Sequence, residues 1–435
     1  MSEKQVLAVD YGASGGRVML GGFDGASFTI SELHRFPNDP VKLGDTMYWD
    51  VLRLYFEMKQ GIVKSKAYGA ISGIGVDTWG VDFGLLDREG RLLDNPVHYR
   101  DGRTAGMMEK TLKMVGRDPL YELTGNQMMD MRQGEWAFGL LETLGLQTGM
   151  MRDILPGAVR TGSLRPEIQK ELGVPAMEVI AVAGHDTQSA MAAIPAREED
   201  FLFISCGTWG LFGTELPEPV ISEMSKKFNI TNEAGLEGNY AFLKNIIGLW
   251  LIQESRRQWI REGKEYGFGE LETKAACTEP LKSLINPDAP EFVPSGDIPE
   301  RIRQFCRKTR QPVPQSEGEI VCCIDQSLAL AYRKAMDEIR ACTGKQYPVI
   351  HLIGGGAQSG LLCQMTANAC GLPVVAGPVE ATVYGNTMAQ FMALGELNGL
   401  TQARRALADT LHTVVYEPRD REIWEEAYER YREIL

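Results

Sequence analysis

Three stretches of this sequence carry residues whose types and spacing suit chemistry on a phosphate. In VLAVDYGASGGRVMLGGF (residues 6–23) an apolar run closes on Asp10, Gly12, Gly15 and Gly16 follow, and a second apolar run resumes at Val18. The pattern predicts two strands joined by a glycine-rich turn. Such a turn aims several backbone N–H groups at one anion, and an acid beside it suits a metal that travels with the anion, as Mg²⁺ does with a nucleoside triphosphate. The plainer reading is an ordinary β-hairpin. FLFISCGTWGLFGTEL (201–216) repeats the arrangement, with a run from Phe201 to Ile204, a turn at Gly207 and Thr208, and a second run through Leu211 and Phe212. A strand–turn–strand unit repeated nearly half a chain later predicts two related lobes that each offer a phosphate-binding turn to one cleft. In VIAVAGHDTQSAMAAI (179–194) a buried strand passes through Gly184, His185 and Asp186 into a helix. Ligands gather at that end of a strand in open α/β sheets. Asp186 reads there either as a helix-capping aspartate or as a functional acid, and His185 as a core or pocket-wall residue sooner than a catalyst.

The elements that position these residues follow from hydrophobic periodicity. A third strand is expected in SFTISELHRFP, a helix in WDVLRLYFEMKQGIVKSKAYG, a strand ending at Asp77, and a further strand after Gly80 interrupted by a turn from Asp87 to Gly90. Mixed strands and helices in this order suit an α/β lobe with helices on both sheet faces. A second lobe is expected from near Arg197. It holds the repeated hairpin, a helix over residues 244–263, a Pro-rich connection (285–299), a helix near 319–343, a strand in YPVIHLIGGGAQ (347–358) and an amphipathic, solvated packing helix in REIWEEAYERYREIL. Gly354, Gly355 and Gly356 let the backbone approach a ligand closely, and the following helix turns its N-terminal amides to the same place. Trp79 and Trp209 stand in glycine turns, where an aromatic side chain belongs either to the core or to a pocket wall.

At 435 residues the chain exceeds a single compact core and predicts two domains. A formal net charge of −13 opposes non-specific binding to nucleic acid or an anionic membrane surface. No apolar stretch reaches spanning length and MSEKQ does not open a secretory signal, so a cytoplasmic location is expected. Eight cysteines without CxxC spacing indicate neither a zinc site nor a disulfide framework, although Cys306 stands within reach of Cys322 or Cys323. Neither GxxxxGK[ST] nor GxGxxG occurs at a strand–helix junction, which disfavours a P-loop or dinucleotide fold.

Eight motifs in order carry a resemblance to a known family. Asp10 to Arg17, VDTWGVDFGLLD (76–87), YRDGRT (99–104), GHDT (184–187), SCGTWGLFG (205–213), FLKNIIGLW (242–250), HLIGGGAQ (351–358) and AGPVEATVYGN (376–386) resemble the sugar kinases of the FGGY group. Within it, VDTWGVDF and ITNEAGLEG (230–238) look most like the rhamnulokinase branch. The resemblance implies an α/β fold of two ribonuclease-H-like lobes, of the actin, Hsp70 and hexokinase type, with a central cleft closing over ATP and a ketose. It implies a sugar-binding lobe over residues 1–196 and a nucleotide-binding lobe over 197–435; the strand–helix pattern of the first lobe ends near Ala196–Asp200, where a hinge is expected. It makes Asp186 the general base and places Gly80, His185, Asp186 and Thr187 on the sugar. Ala13, Ser14, Gly15, Gly16, Arg17 and Thr208 would hold phosphates. Asn245, Gln253, Gly354, Gly355 and Gly356 would hold the rest of the nucleotide, and Asp10 would face Mg²⁺ through water. Its partners are small molecules, the ketose and ATP, in a monomer or homodimer. Other ketoses (fuculose, xylulose) and a weakened nucleotide- or sugar-binding homologue stay open as alternatives. One departure stands out: near residues 124–140, between TGNQMMD and GHD, the chain is several tens of residues shorter than the family pattern.

Overall fold

Val6, Leu7, Ala8 and Val9 are wholly buried, as a strand covered on both faces of its sheet requires. In the computed structural model, which describes residues 3–125 and 128–435, this run forms β1 (Lys4–Tyr11) at the centre of a six-stranded sheet. Its other strands are β2 (Gly15–Phe23), β3 (Phe28–Pro37), β4 (Gly73–Thr78), β5 (Val159–Ser163) and β6 (Glu178–Ala181). The order is β3-β2-β1-β4-β6-β5, with β1, β4 and β6 parallel and the rest antiparallel. The second sheet has seven strands: β7 (Leu202–Cys206), β8 (Trp209–Leu216), β9 (Thr231–Ala234), β10 (Tyr240–Ile247), β11 (Ile350–Ile353), β12 (Val374–Ala376) and β13 (Val414–Tyr416), in the order β9-β10-β8-β7-β11-β12-β13. The hairpins β1–β2 and β7–β8 occupy equivalent places, each pairing its first strand in parallel with a later one, β4 and β11 respectively. The α/β class and the two sheet-containing domains expected from the sequence are present.

Helices bury the sheets. On the first, α1 (Val51–Ser65) starts at Asp50, whose side chain accepts from the Arg53 N–H, and packs Leu54 and Ile62 inward. The opposite face is covered by two helices, α2 (Asp186–Ala192) and α6 (Ala381–Ala393), from distant parts of the chain. These cross closely because Gly385 has no side chain: a Cβ there would stand 1.7 Å from the Ser189 carbonyl oxygen. The second sheet rests on α4 (Glu317–Thr343), opened by a Ser316–Glu319 capping box and closed at Gly344, and on α5 (Gly360–Cys370). Between α2 and α4 in sequence lies α3 (Trp250–Arg261).

Several local expectations differ from the structure. Residues 244–247 belong to strand β10, and the helix begins only at Trp250, because the run pairs with β8 before the chain turns. The strand expected after Gly80 is reduced to one bridge, Leu86 with Leu92, around the Asp87–Gly90 turn. The terminal helix α7 (Arg421–Arg432) does pack as its amphipathic pattern predicts, with Trp424, Tyr428 and Tyr431 entering the main core, where each buried aromatic contributes roughly 1.5–3 kcal/mol. All eight cysteines are free thiols, and Cys322 turns its Sγ to Gln326. Among the described residues no helix is long and apolar enough to cross a membrane.

Candidate active site

The site begins where the first sheet ends. Register pairs Asp10 of β1 with Asp77 of β4, which brings two carboxylates side by side at the carboxyl ends of adjacent parallel strands. One step further Thr78 bridges His185, and its N–H donates to the Gly184 carbonyl at 3.0 Å. Gly184 sits at φ 80, a left-handed turn that favours glycine. It swings the chain so that His185 takes the N-cap position and Asp186 opens α2 as its first residue.

Each carboxylate has a distinct environment. Oδ2 of Asp10 accepts from Arg17, whose guanidinium also reaches Glu380. Asp77 is fully buried, with Oδ2 accepting from Asn386 Nδ2 at 2.7 Å and Oδ1 without a partner among the described residues. Oδ1 of Asp186 accepts the Thr187 N–H at 2.6 Å and the Thr187 hydroxyl at 3.3 Å, and lies 3.3 Å from His185 Nε2. Burial, followed by the charge of Asp10, holds Asp77 well above the usual carboxylate range. Burial also raises Asp186; His185 and the Thr187 N–H pull the other way and Asp10 adds to the rise. For His185 burial weighs most and pulls its pKa down, but contact with Glu233 and the charges of Glu233 and Asp186 together outweigh it, and the net shift is upward.

Beside these acids stands an aromatic wall. Trp79 stacks on fully buried Trp49 at 3.9 Å, and His98 continues the stack at 4.1 Å. Asp82 fixes it, accepting from both indole N–H groups and from the Tyr99 N–H. Gly80 lies against the His185 ring, where a Cβ would meet Nε2 at 3.2 Å.

The second cluster lies at the end of the other sheet. Thr208, in the β7–β8 turn, donates to Gln253 Oε1 on α3 at 3.3 Å. Gly354, Gly355 and Gly356 follow β11 and lie against Cys206, the last residue of β7. The Gly354 N–H donates to the Pro378 carbonyl, and two residues beyond Pro378 is Glu380, the partner of Arg17. Arg17 and Glu380 thus bridge the two clusters.

The predicted residues fall as follows. Gly80, His185, Asp186 and Thr187 come together, as do Thr208, Gln253 and the Gly354–Gly356 loop. Ala13 and Ser14 form the exposed turn, whereas Gly15, Gly16 and Arg17 already belong to β2. Asn245 is exposed on β10 opposite Leu211 and shares no hydrogen bond with the others among the described residues. Trp209 is 50% exposed and Trp79 half-buried. Sequence reasoning passed over Asp77, Glu233 and Glu380. Each lies in a stretch that carries the family resemblance, Asp77 in VDTWGVDFGLLD, Glu233 in ITNEAGLEG and Glu380 in AGPVEATVYGN, and Asp77 adds a local signal, an acid closing a strand immediately before a glycine turn.

Residues 202–394 match the C-terminal domain of the FGGY family of carbohydrate kinases. A rhamnulokinase of Bacteroides thetaiotaomicron is 37% identical over 485 residues, covering 99% of this chain and 99% of the relative. The chain belongs to the FGGY family of carbohydrate kinases. A Bacillus subtilis rhamnulokinase is 32% identical, with 95% of each chain covered. Two solved structures share the fold of this sugar kinase: ligand-bound xylulose kinase from Lactobacillus acidophilus (TM-score 0.74, 14% identity, 99% of this chain and 97% of that one) and Plasmodium falciparum glycerol kinase with ADP (TM-score 0.73, 12% identity, 99% and 98%). An alignment of 485 positions on a chain of 435 residues leaves several tens of positions of the Bacteroides relative without a counterpart.

Proposed function

We propose that this kinase transfers the γ-phosphoryl group of ATP to the primary hydroxyl of L-rhamnulose, giving L-rhamnulose 1-phosphate and ADP. The observation that carries the reading is likeness at 32–37% identity, along nearly the whole chain, to proteins that are rhamnulokinases. Asp186 is the base. Its Oδ1 is occupied by Thr187 and faced by His185, so Oδ2 takes the hydroxyl proton as the sugar oxygen bonds to the γ-phosphorus. Gly80, His185 and Thr187 hold the sugar beside it. The Ala13–Arg17 turn and Thr208 hold phosphates, with Arg17 turning from Glu380 to the nucleotide, while Gln253, Asn245 and Gly354–Gly356 hold the remainder.

The donor set suits magnesium. Among the described residues no three His, Cys, Asp or Glu side chains converge to cage an ion, but Asp10 beside Asp77 offers carboxylate oxygen to an ion that keeps its waters and rides on the phosphates. Bound there, Mg²⁺ neutralises phosphate charge. Phosphoryl transfer needs mainly alignment and charge neutralisation, and these residues supply the alignment. The lobes, 1–196 for sugar and 197–435 for nucleotide, close about residues 196–200 to keep water from the phosphate. We place the enzyme in the cytoplasm.

An ADP-release assay over L-rhamnulose, L-fuculose and D-xylulose tests the reading. The expected result is a kcat/KM for L-rhamnulose at least about tenfold above the others, a preference of about 1.4 kcal/mol. A higher value for another ketose would replace the substrate, and ADP release with none of them would overturn the reading.

A further inference from the structure

Glu233 has no part in the reading above, yet it is bound into the site. It lies on β9, the edge strand of the second sheet, with a side chain only 13% exposed. Its Oε2 stands 3.5 Å from His185 Nδ1 and accepts from Gln188 Nε2 at 3.1 Å. The other ring nitrogen of His185 faces Asp186 Oδ1 at 3.3 Å. A line therefore runs from a strand of one sheet, through an imidazole, to one oxygen of the acid that opens α2. Both ring nitrogens face carboxylate oxygens, an arrangement that the doubly protonated ring satisfies with two N–H donors.

We propose that Glu233 is a positioning residue of the phosphoryl transfer: by holding Nδ1 of His185 it sets Nε2 against Oδ1 of Asp186 and leaves Oδ2 as the oxygen that takes the sugar proton. The inference rests on the reading of Asp186 as the base. In the step it serves, the sugar oxygen bonds to the γ-phosphorus, the bond from that phosphorus to the β–γ bridging oxygen breaks, its electron pair leaves on ADP, and the hydroxyl proton passes to Oδ2. Glu233 touches none of these atoms. It acts on orientation, where misplacement by about 1 Å costs on the order of 10²-fold, and on charge, because the cation it favours at His185 opposes protonation of Asp186. The charged groups facing this pair are Glu233 from β9, Asp10 from β1 and Asp77 from β4. As β9 belongs to the second sheet, the base is correctly set only when both lobes are in place.

The test compares Glu233→Gln, Glu233→Asp and Asp186→Asn in the full chain with L-rhamnulose and ATP. Glu233→Gln is nearly isosteric and is expected to keep the wild-type melting temperature. It should lower kcat roughly ten- to a hundredfold, leave ATP affinity by calorimetry within about twofold, and move the acid limb of the kcat/KM profile to higher pH, because a neutral His185 no longer opposes protonation of Asp186. Glu233→Asp keeps the charge and should recover part of both effects. Wild-type kcat with an unmoved acid limb in Glu233→Gln overturns the proposal, as does a fall in melting temperature and ATP affinity with no limb shift. Asp186→Asn retaining more than about a tenth of wild-type turnover overturns the reading of the base itself, and is distinguishable because it does not depend on Glu233.

Discussion

Asn386 donates from Nδ2 to Asp77 Oδ2 at 2.7 Å and accepts on Oδ1 from Gln390, which in turn donates to the Leu7 carbonyl. A helix from late in the chain thereby holds the buried acid of the first sheet. Burial raises the Asp77 pKa in the folded state, with the charge of Asp10 adding to it, so the folded protein keeps this proton to higher pH than the unfolded chain does. Stability associated with Asp77 therefore falls as pH rises above the unfolded carboxylate pKa of about 3.9 and towards the folded value. Asp77→Asn carries no such proton, and its stability relative to wild type should increase between pH 4 and 8. Urea unfolding across that range measures it; a difference flat in pH would remove Asp77 as the source. Asn386→Ala, which strips the buried carboxyl of its donor, should cost about 1–3 kcal/mol.

Asp186 predicts the acid limb of the activity. Its pKa is raised chiefly by burial, so kcat/KM should begin to fall, as pH is lowered, above the ordinary carboxylate range of about 3.9. Asp186→Asn should bind ATP nearly as wild type but turn over roughly 10²–10⁴ times more slowly. Steady-state profiles from pH 4 to 9 and calorimetry with ATP separate the two statements, and an acid limb centred at an unshifted carboxylate value would contradict the first.

Arg17 is shared between Asp10 and Glu380, and in the proposed role its guanidinium leaves Glu380 to meet a phosphate. The Glu380 side chain is 36% exposed, so the pair is worth little, about 0.2–1 kcal/mol. Glu380→Gln should release Arg17 and tighten ATP binding by about 1.4- to 5-fold, with less salt dependence than wild type. Weaker ATP binding in Glu380→Gln would show that the contact orders the phosphate turn instead of competing for it.

How much of this was legible in the sequence depended on range. The strands at 4–11 and 202–206 and the turns after them were visible because apolar runs closing on glycine are local signals. The GHD turn was visible for the same reason, and the placement of Gly80, His185, Asp186 and Thr187 together came from the family pattern. Glu233, Glu380 and Asn386 lie in the motifs ITNEAGLEG and AGPVEATVYGN, but their partners were not visible. Their roles come from contacts with residues 48, 363 and 309 positions away, and no local periodicity encodes a partner at that distance. Residues 244–247 misled because a strand running into a helix leaves one continuous apolar stretch. The amphipathic pattern of residues 421–435 showed a helix that packs, but which core Trp424, Tyr428 and Tyr431 meet was not legible.

The short connection near residues 124–140 carries the last prediction. Residues 126 and 127 lie outside the described structure; beside them stand the helix Arg117–Thr124, a two-residue ribbon, Met129–Asp130 with Glu135–Trp136, and a six-residue helix, Phe138–Thr143. Large apolar side chains in the first half of the chain are open to solvent, with Phe83 65%, Met108 67%, Phe138 45% and Leu155 60% exposed. The family pattern has a longer segment between TGNQMMD and GHD, which would cover apolar surface and, on the proposed reading, complete one wall of the sugar pocket. The second cluster, Thr208, Gln253 and Gly354–Gly356, is built from other parts of the chain. Mg·ATP binding should therefore be retained, while KM for the ketose is raised and more ATP is lost to water, since a loosened hydroxyl forfeits on the order of 10²-fold in alignment. Calorimetry with ATP, together with the ratio of ADP to sugar phosphate formed at saturating L-rhamnulose, measures both halves. A ratio of one with a low KM would show that the open wall is closed by the lobes themselves.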